Sequence, residues 1–200
     1  MRIKKPLLSL LLLAAAASTA NAQAEPGTNT LYPRVGMAFA KFSGAELYDG
    51  VSEQKLSPKY RSGFVAGVEL QHQFSRDMAA SVGVLYSEQG TDFEQAKAQD
   101  VNTSVKANYL VVPVLAAYTT QIGLAVKAGL QPEVRVSDEA NQVLNRVTLS
   151  LPVALSYEYH HFVLDLRYNI GLTHVYKQWA GNDPAHNATI MLTLGYGIEL

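Results

Sequence analysis

The sequence predicts an all-β fold, an eight-stranded antiparallel up-and-down transmembrane β-barrel. Three observations predict it. Apolar and polar residues alternate along one segment after another, the connections between those segments are short and long by turns, and no apolar run after the N-terminal stretch is long enough for a membrane helix.

The chain begins with a three-part export leader. Arg2, Lys4 and Lys5 give a positive start, Leu7 to Ala17 an apolar run, and Ala20-Asn21-Ala22 a small-residue cleavage site. Residues 1–22 are therefore expected to be a cleaved signal peptide and residues 23–200 a single barrel domain, since nothing Pro-rich or low-complexity divides them. Without the leader's three cations, 13 basic residues face 17 acidic ones with no basic cluster, which argues against nucleic acid as a partner. The absence of cysteine excludes disulfides, thiolate metal sites and thiol nucleophiles.

Eight strands follow in order. Tyr32 to Phe42, Phe64 to Phe74 (polar face Glu69, Gln71 and Gln73) and Met78 to Phe93 come first. Lys106 to Tyr118 is apolar on both faces, so its phase is ambiguous. Its core, Tyr109 to Tyr118, is the longest apolar run after the leader; it contains Pro113 and has about half of the roughly 20 residues a spanning helix needs. In the segment from Ile122 to Arg135, Ile122, Leu124, Val126 and Leu130 oppose Lys127, Gln131, Glu133 and Arg135. Val147 to Glu158 alternates likewise. From Phe162 to Val175, Leu164, Leu166, Tyr168 and Ile170 oppose Asp165, Arg167 and Asn169, and the closing run from Ala188 sets Leu192, Leu194 and Tyr196 against Thr193, Gly195 and Glu199. Pro113 and Pro152 each remove a ladder donor, so a bulge or irregularity is expected at both.

The connections near Ser75, Gln121 and His161 are only a few residues long, whereas those near 43–61, 94–105, 136–145 and 176–186 are long. That rhythm predicts short turns and both termini on the periplasmic side. The face carrying the charge decides between membrane and water. A soluble sandwich or lipocalin-like barrel turns its apolar face inward and its charge outward. Here the apolar faces are long and almost free of charge, and strands of about 11 to 14 residues match a tilted membrane span. Aromatic residues near strand ends predict two interfacial girdles, with Tyr32, Phe74, Tyr118, Tyr157, Tyr159 and Phe162 on the turn side and Phe42, Phe64, Phe93, Tyr109, Tyr176 and Trp179 on the loop side.

Candidate site residues are the charges on the polar faces: Arg34, Glu69, Lys127, Glu133, Arg135, Glu158, Asp165, Arg167 and Glu199. An eight-stranded barrel is just wide enough for side chains to fill, so these are expected to pair and plug the lumen. Arg34 begins the first strand and Glu199 ends the last, which predicts an ion pair between them at the periplasmic mouth. In the loops, Tyr48 and Trp179 are the recognition candidates. His174, with Thr173 and Ser87, is the one combination from which a lipid-modifying enzyme could be built, but no carboxylate is placed to orient the ring. His160-His161 is an unsuitable metal pair on a strand because adjacent residues point to opposite faces. No catalytic, cofactor-binding or metal-binding residue is expected, and no cofactor.

Several stretches resemble the PorT-like outer-membrane β-barrel family of Bacteroidetes-type bacteria, often labelled porin family. They are Gly36 with Phe42-Ser43-Gly44, Val84 to Gly90 (VLYSEQG), Tyr109 to Tyr118 with Pro113, Leu164 to Tyr176 (LDLRYNIGLTHVY), and the closing LTLGYGIEL. The resemblance implies residence in the Gram-negative outer membrane among outer-membrane lipid. It also implies a non-enzymatic structural, adhesive or secretion-accessory role, with other envelope or secretion proteins as partners. The chain departs from such barrels in ending on Leu200 instead of an aromatic residue. The alternatives are a lipid-modifying outer-membrane enzyme and a soluble periplasmic lipocalin-like ligand binder.

Overall fold

The computed structural model describes residues 25–43, 47–48, 55–94, 103–137, 145–174 and 186–200, and every regular element among them is a strand. In chain order these are β1 (Asn29–Ser43), β2 (Leu47–Tyr48), β3 (Lys55–Gln73), β4 (Met78–Glu94), β5 (Thr103–Val111), β6 (Val114–Thr119), β7 (Leu124–Arg135), β8 (Val147–Tyr159), β9 (Phe162–His174), β10 (His186–Tyr196) and β11 (Ile198–Glu199). β5 and β6 form one wall interrupted at Val112 and Pro113, β11 continues β10 past Gly197, and β2 pairs with the far end of β3. Eight walls result. Each is antiparallel to its neighbours in sequence, and β1 pairs with both β3 and β10, which closes the sheet. The leader, residues 1–22, lies outside the described residues.

Alternation sets the two surfaces. Along β9, Val163, Asp165, Arg167 and Asn169 are buried, while Leu164, Leu166 and Tyr168 are 50 %, 49 % and 43 % exposed. Val35, Met37, Val126, Leu130, Val153, Leu155, Leu192 and Leu194 are likewise exposed on the other walls. A surface of this composition is stable against hydrocarbon, not water. At the turn end Phe74, Tyr118, Tyr159, Phe162 and Tyr196 are exposed and form an aromatic rim, with Phe162 packed edge-on to Tyr196. Two residues expected in the girdles lie elsewhere: Tyr32 and Tyr109 are 3 % and 1 % exposed, because both occupy the inward phase of their strands. The side chains of Phe42 and Phe93, and Tyr176 and Trp179 altogether, lie outside the described residues.

The wall with ambiguous phase resolves with its odd-numbered residues inward. Tyr109, Val111, Leu115 and Ala117 are buried, and Leu110, Val114 and Tyr118 face out. Its apolar inner face lies beside inward Leu85 of β4, the register partner of Val111. Pro113 breaks the wall into β5 and β6, and the broken rungs are replaced by bonds from Gly83 N to the Pro113 carbonyl (2.9 Å) and from Val112 N to the Pro132 carbonyl (2.9 Å). Pro152 acts more mildly. It stays in register with Asn169 of β9, and on the β7 side the rungs opposite Gly129 and Leu130 are absent without any slip.

The short connections are the stretches Phe74 to Asp77, Thr120 to Gly123 and His160-His161. In the last, both residues have positive φ (47° and 68°), the geometry of a two-residue hairpin turn whose twist suits the flanking strands. The two rings separate there, His160 against Tyr159 (4.1 Å between centroids) and His161 towards Tyr196 (6.0 Å). Glycine is required at Gly36, where an added Cβ would overlap the Leu192 carbonyl of the facing strand.

The outward phase of β9 gives a direct test. Leu166→Arg places a cation against lipid near the middle of the wall and is expected to lower unfolding stability by about 2–4 kcal/mol, measured by denaturant titration of the barrel refolded in lipid vesicles. The control Leu166→Met keeps the lipid-facing surface apolar and is expected to cost less than about 1.5 kcal/mol.

Candidate functional site

Four walls deliver five charged side chains to one place in the lumen: Arg34 from β1, Glu69 from β3, Lys127 from β7, and Asp165 and Arg167 from β9. Arg34 Nη2 lies 3.3 Å from Glu69 Oε1, and its Nη1 lies 3.5 Å from Asp165 Oδ2. Lys127 Nζ is 3.6 Å from Glu69 Oε1 and 3.9 Å from Asp165 Oδ2. Arg167 donates through Nη2 to Glu69 Oε2 at 3.0 Å and sets Nε 3.4 Å from Asp165 Oδ1. Each carboxylate thus meets all three cations, and every side chain in the group is 3 % exposed or less.

Small neighbours make room for these long side chains. The register partners of Arg34 are Gly195 and Gly67, those of Lys127 are Ala117 and Ala154, and Glu69 faces Gly83. Alternation of large and small residues across facing walls is how a narrow barrel fills its interior. The arrangement is self-supporting, because each buried charge is opposed several times over, and an unopposed one would be costly.

A second polar group lies further towards the loop end. Glu133 Oε1 accepts from Gln131 Nε2 (2.9 Å) and Ser150 Oγ (2.8 Å), and Gln89 Nε2 reaches Glu133 Oε2 (3.5 Å). Gln89 in turn accepts from Asn187 Nδ2 and from Thr189 Oγ1 (3.3 Å). Sequence reasoning put Gln131 on a polar face but counted neither it nor Gln89, Ser150, Asn187 and Thr189 among the site residues. Their signal was present: each is polar and in the inward phase of its strand. At the turn end, Tyr32 donates its hydroxyl to Glu158 Oε2 at 3.2 Å, and the Arg34 guanidinium lies over the Tyr32 ring at 5.4 Å.

The remaining candidates are dispersed. Arg135 is buried at the register position of Tyr109, and Glu158 is only partly buried. Glu199 does not join Arg34. It is exposed in β11 opposite Thr30, four residues from Arg34 along β1, about 13 Å at the rise of a strand. Its inward phase carries it past the end of the wall into solvent, and Arg34 binds Glu69 and Asp165 instead. Tyr48 belongs to β2 opposite Lys55, and its side chain lies outside the described residues; so does Trp179. Ser87 is fully buried in the lumen, whereas Thr173 and His174 are exposed at the rim, so this candidate nucleophile and base occupy different environments. Among the described residues there is no group of three or more metal-ligating side chains.

The closed eight-walled barrel has counterparts among known proteins. Residues 21–177 match the outer membrane protein beta-barrel domain family. This chain belongs to that family. Among solved structures it resembles the outer membrane protein OprG from Pseudomonas aeruginosa, with a TM-score of 0.51 and 12% identity over 87% of this chain and 98% of that one. It resembles Neisserial surface protein A (NspA) similarly, with a TM-score of 0.51 and 13% identity over 83% of this chain and 96% of that one. At these identities the likeness is one of fold. No curated protein matches the chain.

For this barrel the five-membered network predicts an asymmetric response to substitution. Glu69→Gln leaves three cations on Asp165 alone and is expected to destabilise by about 3–5 kcal/mol, the usual cost of breaking a buried ion pair from one side. Glu199→Gln, at an exposed position, is expected to change stability by less than about 0.5 kcal/mol. Parallel urea titrations in detergent micelles measure both.

Proposed function

We propose that this outer-membrane barrel is a closed, non-enzymatic scaffold that is anchored in outer-membrane lipid and presents its loop end to other envelope or secretion proteins. A structural, adhesive or secretion-accessory role fits this reading. The observation that carries it is the network of Arg34, Glu69, Lys127, Asp165 and Arg167, which fills the lumen with paired, solvent-excluded charge. A lumen filled in this way leaves the loop end as the surface for recognition, with Tyr48 and Trp179 as its candidate contacts. Against the enzyme reading stands the burial of Ser87 in the lumen while His174 is exposed at the rim. The soluble ligand-binding reading is opposed by the exposed leucines of β9 and β10.

In planar lipid bilayers the purified barrel is expected to give no stepwise conductance at physiological salt. Steady channels abolished by substitution at Glu69 would replace the scaffold by a pore. Cysteines placed at positions 48 and 179 for crosslinking are expected to capture envelope proteins, while cysteines on the lipid face are not.

Export is part of the same proposal. Intact mass measurement of protein from outer membranes is expected to show a chain starting at Gln23; retention of residues 1–22 would mean that the leader is an uncleaved anchor.

A further inference from the structure

The loop end carries a pair of histidines that the plugged-barrel reading does not use. His174 ends β9 and His186 begins β10, and the two are direct register partners across the antiparallel pair. Partners in such a pair have their Cβ atoms about 5 Å apart and share one side of the sheet. Their ring centroids are 5.0 Å apart with the planes inclined at 58°. A β-bulge lies just below them: the register shifts between His186 and Ala188, so that β9 spends four residues where β10 spends two. Bulges at barrel rims re-aim side chains, and this one separates the histidine pair from the regular alternation beneath it.

The end of β9 is fastened. The carbonyl of His174 accepts from Asn145 Nδ2 at 2.8 Å, and Thr173 Oγ1 accepts from Leu149 N at 2.9 Å. The His186 ring itself is not tied down: its Nδ1 is buried and has no hydrogen-bond partner among the described residues. Histidines that serve only structure normally satisfy both ring nitrogens with neighbours or water.

The spacing matches a shared metal ion. A zinc–imidazole bond is about 2.0–2.1 Å, and the ring centre lies about 1.1 Å behind the nitrogen; two imidazoles on one tetrahedral ion therefore have centroids about 5 Å apart. The planes are inclined at 58°, as two imidazoles on one ion or two rings in an edge contact can be, and the unpartnered Nδ1 of His186 favours the ion. We propose that His174 and His186 form a two-histidine site for a borderline divalent transition-metal ion, Zn2+, Cu2+ or Ni2+. Water completes the coordination on the exposed side of His174. Two neutral imidazoles select these ions over Mg2+ and Ca2+, which require oxygen donors.

The test uses untagged full-length barrel refolded in detergent and titrated with Cu2+, the ion such donors bind most strongly. Wild type is expected to bind one tight Cu2+ whose electron paramagnetic resonance spectrum shows two imidazole nitrogens. His174→Ala and His186→Ala are each expected to weaken it by at least about tenfold, since losing even an outer partner of a ligand costs about that much. A His160→Ala/His161→Ala double variant, altered only at the opposite end, is expected to bind as wild type. Folding of each variant is checked by the gel shift between heated and unheated samples. Retention of the two-nitrogen signal in both rim variants overturns the proposal, as does its loss in the turn variant alone. A wild-type spectrum with one nitrogen or none overturns it without reference to any variant.

Discussion

Hydrocarbon offers no hydrogen bonds to a peptide group, and the rest of this molecule follows from that constraint. Every N–H and C=O in the walls must find its partner within the sheet, so β1 must meet β10 as well as β3, and the strand count must be even for all contacts to be antiparallel. Closure at eight walls then fixes the interior at about the width of its own side chains. The inner face cannot be a channel of bulk water at that width, and it cannot be empty. It must be filled by groups that satisfy one another.

The filling here is ionic because the outer face must be apolar. With a period of two, residues that cannot face lipid face the lumen, and there they are removed from water as well. Glu69 and Asp165 resolve this jointly: each contacts Arg34, Lys127 and Arg167, so five ions from four walls form one unit. The glycines and alanines opposite them are part of the same solution: Gly67 and Gly195 are the register partners of Arg34, and a Cβ added at Gly195 would lie 3.1 Å from the Arg34 Cγ. Charge and small-residue placement are coupled, and changing either disturbs the other.

Period-two alternation made the walls legible in the sequence, and with them the face on which Lys127, Asp165, Arg167 and Glu69 would lie. What it did not convey was which of the inward residues meet. Strand tilt displaces neighbouring walls along one another, so which inward residues meet is decided by register, and register depends on closure of the whole sheet. Hence Arg34 finds Glu69 and Asp165 while Glu199, in the same inward phase, passes the end of the wall. Tyr32 and Tyr109 were misassigned for a related reason: an aromatic near a strand end suggests an interface, but phase places both inside. The apolar segment around Tyr109 had no phase to read, since its inner face packs beside Leu85 and so carries no polar residue to mark it.

The loop end differs from the turn end in more than loop length. A tilted strand needs about 9–11 residues to cross the bilayer. β3 has 19 and β4 has 17, and the excess lies towards the loops, where Ser57 to Tyr60 pair with Thr91 to Glu94 beyond the register shift at Tyr60. β5 extends the same projection by pairing Thr103 to Val105 with Thr91 to Phe93. The ladder therefore continues past the apolar belt as a three-stranded ribbon, which explains why the long first connection expected from the sequence begins its return strand at Lys55. Strands carried beyond the membrane hold whatever they present at fixed height and orientation, at the cost of exposing ladder edges to water, where unpaired peptide groups are tolerated. On the β9–β10 side the ladder carries a bulge near the rim, next to His174 and His186. Among the described residues, the ladder above the irregularity at Tyr60 of β3 runs on for four rungs, and above the bulge in β10 stands the rung of His174 and His186.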